Sequence, residues 1–290
     1  MEIIRARDMG FCFGVRRAVE MMEEAAQQSG PLTSLGSTVH NRQVVEKLRE
    51  QGVDVVANLE EIKGRPVAVT AHGVGPQVLE ALNQLGVPLV DTTCPIVTRS
   101  QQWAKRLAKE GFAIIVFGDP DHKEVRGVLG WAEGRGIAVA DEEDLDRLPE
   151  DLPSRVAVLS QTTHTEARFA SFVRHLFETR MERISELRVI NTLCNATTSQ
   201  QAAAQELARQ VDLVIVIGGR ESANTRHLAK VCREEGVETY HIESAAEIEP
   251  QWLAGRQRVG VTAGASTPDS AVDEVTARLE EMAARVAPAS

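Results

Sequence analysis

Short apolar runs alternate with polar stretches of helical period along the whole chain. Val67 to Thr70, Ala113 to Phe117, Val156 to Leu159, Leu213 to Ile217 and Val259 to Thr262 are strand-sized, and each leads into a loop of Gly, Ser, Thr, His or Asn. Between such runs, apolar residues recur at spacings of three and four. This predicts helices over Arg16 to Gln28, Gln43 to Gln51, Gln101 to Glu110, Glu166 to Thr179, Gln200 to Gln210, Thr225 to Glu235 and Asp269 to Val286. Strand and helix in alternation predict an α/β protein built on parallel sheets.

Two segments repeat. "LVDTTCPIVTRSQQ" and "VINTLCNATTSQQ" align on Cys94 and Cys194, sharing an acid or its amide, then Thr, any residue and Cys, with Thr four and Gln seven positions after the Cys. "MGFCFGVRRAVE" around Cys12 keeps only the order strand, cysteine, helix. Separations of 82 and 100 residues between these cysteines suggest three similar small α/β units, 1–93, 94–193 and 194–290, each with one cysteine. No low-complexity linker separates them, so they are expected to pack around a shared centre.

Composition narrows the setting. The chain has 290 residues, 43% hydrophobic, enough for one large domain or several small ones. A formal net charge of −10 argues against a general nucleic-acid binder, and an anionic ligand would need a local solution. Charges in MEIIRARDMG interrupt any apolar leader, and no later run is long enough to span a membrane. Four widely spaced cysteines do not form a disulfide framework, which points to a reducing, cytoplasmic setting.

A lone buried cysteine usually acts as a small hydrophobe, and Cys232, on the apolar face of "HLAKVCREEG", fits that role. Cys12, Cys94 and Cys194 stand instead between a strand and a helix, where α/β proteins place function. A helix N-terminus favours thiolate. Three thiolates suit a soft metal. Zinc normally adds a fourth close ligand and paired CxxC spacing, both missing here, so an iron-sulfur cluster with one open iron matches better.

The remaining strand ends carry neutral hydrogen-bonding groups: "TVHN" with His40, "TAHG" with His72, "GDPDHKEV" with His122 and Glu124, "SQTT" with Thr162 and Thr163, "GGRESANT" with Ser222 and Asn224, and "TAGAST" with Ser266. Any one of these hydroxyls or amides reads as an ordinary helix cap, and any one histidine as a satisfied strand-end residue. Taken together they suit a phosphate or diphosphate, held by helix N-termini, hydroxyls and imidazoles, protonated where more charge is needed. In an extended segment His122 and Glu124 would point the same way. Glu124, partly desolvated beside a metal cluster, is the candidate proton donor; the alternative is a surface Glu in a charged loop.

With these motifs assembled, the chain closely resembles the 4-hydroxy-3-methylbut-2-enyl diphosphate reductase (LytB) family. The resemblance runs from "GFCFGVRRAV" through "VHN", "AHG", "DTTCPIV", "QTT" and "CNATTSQQ" to "AGASTPD", nearly the full chain. It implies three α/β domains in pseudo-threefold arrangement around one [4Fe-4S] cluster on Cys12, Cys94 and Cys194. It implies reductive loss of the substrate's allylic hydroxyl as water, giving isopentenyl and dimethylallyl diphosphates, the last step of the non-mevalonate isoprenoid pathway. By motif position, His40, His72, His122, Ser222, Asn224 and Ser266 would hold the diphosphate. Glu124 would deliver protons, and Thr162 would lie near the hydroxyl. Lys123, Ala223 and His164 depart from the usual pattern, where proline, serine and an apolar residue are common. No Gly-rich dinucleotide fingerprint follows a strand, so electrons are expected from a ferredoxin or flavodoxin-type partner. Two rival readings are a cluster-bearing Lewis-acid dehydratase or condensing enzyme and a non-enzymatic cluster-based redox sensor.

Overall fold

The computed structural model describes residues 1–286. The first third of the chain runs through β1 (Glu2–Arg5), α1 (Phe13–Ser29), β2 (Leu32–Leu35), α2 (Arg42–Glu50), β3 (Val53–Val56), β4 (Val67–Val69), α3 (Pro76–Gln84) and β5 (Leu89–Asp91). The middle third holds α4 (Pro95–Lys109), β6 (Ala113–Phe117), α5 (Lys123–Gly130), β7 (Gly136–Val139), β8 (Arg155–Ser160), α6 (Glu166–Arg180) and β9 (Glu186–Val189). The last third adds α7 (Asn195–Ala208), β10 (Leu213–Ile217), α8 (Ala223–Glu234), β11 (Glu238–Ile242), β12 (Arg258–Ala263) and α9 (Asp269–Val286).

The strands form three four-stranded sheets, ordered β3-β2-β4-β5, β7-β6-β8-β9 and β11-β10-β12-β1, with every pairing parallel. The chain is therefore an α/β protein of three parallel-sheet domains, as its alternation predicts. Parallel sheets need helices on both faces. In the second sheet, one face carries Ile115, Phe117, Val156 and Val158 against Phe169, Phe172 and Leu176 of α6. The other carries Ile114, Val116, Ala157 and Leu159 against Ala104, Leu107 and Ala108 of α4. The third sheet is covered in the same way, by α9 on one side and by α7 and α8 on the other.

One expectation needs correction. A first unit beginning at residue 1 would put β1 in the first sheet, yet β1 pairs with β12, Ile3 beside Val259 and Ile4 beside Gly260. The Ala6 amide extends the pairing, donating to the Val261 carbonyl at 2.8 Å. Ile3 and Ile4 pack against the two cores of the C-terminal sheet, which gives this short strand its apolar partners. The topology explains the exchange: β1 takes in the third sheet the place that β5 and β9 hold in the other two. Each fourth strand then leads through a cysteine into a helix.

Two compact bodies can be distinguished. One holds Arg17–Thr38 and Leu48–Cys194, with the first two sheets. The other holds Met1–Arg16, Val39–Lys47 and the chain from Asn195 onward, with the third. Within the former, α5 lies against the loop after β4. Trp131 Nε1 and Gln101 Nε2 both donate to the Val74 carbonyl, at 3.1 and 3.3 Å. Closeness there depends on glycine, because a Cβ on Gly130 would stand 2.9 Å from the Gly75 Cα.

This contact opposes two effects of known sign. Alanine is a better helix former than glycine by about 1 kcal/mol, but backbone that cannot yield makes overpacking cost about 1–3 kcal/mol. Gly130→Ala is expected to lower the urea midpoint, with the m-value unchanged. A raised midpoint would show that the 73–75 loop gives way.

Candidate active site

The repeated cysteine segments build one loop three times. After each fourth strand, the cysteine amide donates to a carbonyl just beyond the third: Cys12 to Ala265 at 3.1 Å, Cys94 to Ala71 at 3.0 Å and Cys194 to Thr162 at 3.0 Å. The shared residues before Cys94 and Cys194 shape the turn. Asp91 Oδ1 accepts from the Thr93 amide at 2.9 Å, and Asn191 Oδ1 accepts from Leu193 at 3.0 Å. Thr92 and Thr192 donate their hydroxyls to Val69 and Ser160, both at 2.6 Å, tying each loop to its neighbouring strand. The acid or amide and the threonine of the motif are thus its scaffold.

All three thiols are half-buried at helix N-termini. The Val15 amide donates to Cys12 Sγ at 3.5 Å. For Cys94 the helix end does not decide the ionisation. Burial pushes its thiol up, against the amides of Ile96 and Val97 that draw it down, and the charges of Cys194 and Glu124 add to the rise. A soft metal ion, replacing the proton, would reverse that balance. Three thiol donors backed by main-chain N–H groups fit an iron-sulfur cluster. Cys232 lies apart in the apolar core between α7 and α8, fully buried, its thiol pushed up to about 12 by desolvation.

In the body that carries Cys94 and Cys194, Glu124 is 3% exposed. Desolvation raises its carboxyl to about 7, although two donors from Thr162 pull it down, the amide to Oε1 at 2.7 Å and the hydroxyl to Oε2 at 2.8 Å. Since the folded value exceeds the ordinary one, Glu124's contribution to stability is complete below pH 4.5 and is lost as the pH rises through about 7. Thr162 also offers its carbonyl to the Cys194 amide, so carboxyl, hydroxyl and cysteine loop form one connected unit.

His122 and Glu124 are not paired along an extended segment. His122 is the N-cap of α5, with Nδ1 accepting the Glu124 amide at 3.2 Å, and Glu124 sits in the first helical turn. With Nδ1 used as this acceptor, Nε2 is the ring's other polar atom. His72 stands beside it, ring centroids 5.6 Å apart at 77°, with Nδ1 3.3 Å from Thr70 Oγ1.

The other body gathers Cys12, His40, Ser222, Asn224 and Ser266. Ser222 caps α8, accepting the Thr225 amide at 3.3 Å. Asn224 Nδ2 donates to Gln200 Oε1 at 3.3 Å, and Gln200 Nε2 donates to the Gly10 carbonyl at 2.7 Å, linking the helix to the Cys12 loop. Ser266 Oγ and Asn224 Oδ1 are buried without hydrogen-bond partners among the described residues. Such groups are costly unless a polar ligand meets them. Glycine allows the loops to close: a Cβ on Gly219 would come within 2.0 Å of the His40 carbonyl, and one on Gly264 within 2.0 Å of Thr225 Oγ1.

Gln200 and Gln161 escape sequence reading. Gln161 Oε1 accepts the Asp119 amide at 3.1 Å, and its Nε2 donates to Thr163 at 3.2 Å. Gln200 is one position short of the repeated glutamine, and Gln161 has no partner in the sequence pattern. The adjacent motif residues Thr162 and Asn224 were the available signal.

Comparison with known proteins identifies the family. The family model described as LytB protein matches residues 3–280. The 4-hydroxy-3-methylbut-2-enyl diphosphate reductase of Dehalococcoides mccartyi (strain CBDB1) is 45% identical over 284 residues, covering 98% of this chain and 99% of that protein. That of Geobacter sulfurreducens is 44% identical over 281 residues, 97% of this chain and 98% of its own. A solved (E)-4-hydroxy-3-methyl-but-2-enyl diphosphate reductase, described as the terminal enzyme of the non-mevalonate pathway, has 39% identity and a TM-score of 0.71 over 97% of this chain and 100% of that one. The Plasmodium falciparum E-1-hydroxy-2-methyl-but-2-enyl-4-diphosphate reductase has 27% identity and a TM-score of 0.88 over 95% of this chain and 87% of its own. With a family model matched over nearly its whole length and relatives this similar end to end, the chain belongs to the LytB protein family.

Proposed function

We propose that this oxidoreductase converts 4-hydroxy-3-methylbut-2-enyl diphosphate to isopentenyl and dimethylallyl diphosphates by reductive dehydroxylation, the terminal step of the non-mevalonate pathway. The observation that carries the reading is the buried Glu124, bonded twice to Thr162, whose carbonyl holds the Cys194 loop. A carboxyl that titrates near 7 beside a candidate ligand loop has the properties of a proton donor to a departing hydroxyl. The relatives' shared name favours reduction over a Lewis-acid dehydratase or a redox sensor.

Cys12, Cys94 and Cys194 would hold one [4Fe-4S] cluster, which supplies electrons and an iron able to bind the substrate oxygen. Thr162 orients the Glu124 carboxyl and offers its hydroxyl to the same oxygen. His40, His72, His122, Ser222, Asn224 and Ser266 would donate to the diphosphate. Neutral donors are enough to orient the anion, and they let an acidic chain bind it without a cluster of Lys and Arg. A ferredoxin or flavodoxin-type protein supplies two electrons, in a cytoplasmic, reducing setting that keeps thiols available for iron. No helix among the described residues is long and apolar enough to cross a membrane.

The central test is oxidation of reduced methyl viologen by anaerobically reconstituted protein on adding the substrate. Glu124→Gln is expected to keep its iron and lose at least a hundredfold in turnover, the range of a lost general acid. Wild-type turnover should fall as the pH rises through about 7, because the protonated donor is then depleted. Full activity of Glu124→Gln would remove Glu124 from the mechanism. Ser266→Ala separates binding from folding. Deleting a buried, unpartnered hydroxyl should leave Tm level or slightly higher, while losing a bond to a charged ligand raises KM roughly tenfold to a hundredfold. Among the cysteines, Cys232→Ser should retain the iron content and visible absorbance of wild type, whereas Cys12→Ser, Cys94→Ser and Cys194→Ser should each lose them. Unchanged iron in any of the last three would exclude that cysteine as a ligand.

A further inference from the structure

We propose that the exposed face of α4 is the docking surface for a small acidic protein that delivers electrons, one at a time, to the redox centre assigned to Cys94. The inference rests on the reductase reading and locates its electron entry. Cys94 is the N-cap of α4, so the helix starts at the candidate ligand itself. Its inward positions Val97, Ser100, Gln101, Ala104, Leu107 and Ala108 are buried, the last three against the second sheet. The outward ones, Pro95, Arg99, Gln102, Lys105, Arg106 and Lys109, are all exposed.

Every charge on that outward face is positive. This stands out in a chain with 32 basic and 42 acidic residues. The other two helices that follow cysteines differ: α1 carries Glu20, Glu23 and Glu24, and α7 has no Lys or Arg. Among the described residues no carboxylate forms an ion pair with Arg99, Lys105 or Lys109, while Arg106 bonds Glu110 at 2.9 Å. These cations are therefore available to an outside anion. Two tryptophans hold the face in shape, with Lys105 Nζ 4.9 Å from the Trp131 ring and the Arg106 guanidinium 5.2 Å from that of Trp103. A shallow depression of about 400 Å³ lies between Gln102, Lys105, Arg106, Lys109 and Glu110.

Charge complementarity selects the partner. An acidic carrier is repelled at long range by a chain of net charge −10 and is attracted only where the local potential is positive. At about 1.5 Å rise per residue, Arg99 lies roughly 7.5 Å along the axis from Cys94, and Lys105 roughly 16 Å, so a carrier seated on this face reaches toward the cysteine end. The balance of the reaction requires such a carrier. Each turnover breaks one C–O bond, takes up two electrons and two protons and releases water, and two carriers are each oxidised by one electron.

The test compares two reductants on the reconstituted holoenzyme, reduced methyl viologen and a photoreduced plant-type [2Fe-2S] ferredoxin as the acidic probe. Lys105→Glu/Lys109→Glu is expected to keep viologen-driven turnover within twofold of wild type and to raise KM for ferredoxin about tenfold at low ionic strength. Lys105→Gln/Lys109→Gln should give a smaller rise. Added salt should weaken ferredoxin-driven turnover of wild type and affect the reversed variant much less. Arg147→Glu, an exposed charge reversal away from this face, should change neither reductant's kinetics. The proposal is overturned by an unchanged KM for ferredoxin in Lys105→Glu/Lys109→Glu, by an equal rise in Arg147→Glu, or by an equal loss with both reductants. Absence of viologen-driven turnover in wild type would instead overturn the reductase reading on which it rests.

Discussion

The cysteine amide bonded to the carbonyl beyond the neighbouring strand is the contact on which the candidate site depends. A parallel sheet uses its backbone groups in the ladder and frees the chain at the strands' carboxyl ends, where loops must find other partners. Here the same partner is found three times, at Ala265, Ala71 and Thr162. The bond fixes where each helix starts, so it also fixes where main-chain N–H groups meet sulfur. Asp91, Asn191, Thr92 and Thr192 reinforce two of the three loops from their own side chains. A motif that looks catalytic is largely the framework for one reactive atom.

Within that frame the carboxyl of Glu124 is balanced between opposing effects. Burial raises its pKa and the two donors from Thr162 lower it. The result is a titration near 7, where a proton is both held and released. The balance is local, because both donors belong to the residue whose carbonyl anchors Cys194. Moving that loop would change the carboxyl's hydrogen bonds and the cysteine's position together. His122 caps α5 through Nδ1, which accepts the Glu124 amide.

Charge is distributed by task. The loops of His72, Ser222, Asn224 and Ser266 present hydroxyls, amides and imidazoles, whereas the outer face of α4 presents Arg99, Lys105, Arg106 and Lys109. Elsewhere the surface pairs its charges at close range, as in Arg209 with Glu235 at 2.7 Å or Arg155 with Glu186 at 2.8 Å. Exposed pairs like these contribute little stability each, about 0–1 kcal/mol. On α4, by contrast, Arg99, Lys105 and Lys109 have no carboxylate partner among the described residues, while Arg106 pairs with Glu110.

The sequence by itself determined the α/β class, the helices and the buried strands, because continuous apolar runs and helical periodicity survive without knowledge of neighbours. β4, β6, β8, β10 and β12, each flanked by strands on both sides, are legible as apolar runs. The edge strands β3, β7 and β11 are not, and β1, β5 and β9 are read only as the strands expected before the three cysteines, since one open side lets polar residues in and the period fades. Central β2 is hidden for another reason: LTSL buries a threonine and a serine. The short helices α3 and α5 are not among the helices predicted from the sequence. The cysteines and Glu124 could be nominated from type, spacing and family resemblance. Tertiary structure decided that β1 completes the last sheet, that His122 caps a helix instead of lining a strand, and that Gln161 and Gln200 brace the loops. Each of these is a hydrogen bond between residues far apart in the chain or a choice of partner for a backbone amide, and neither leaves a periodic trace in the sequence.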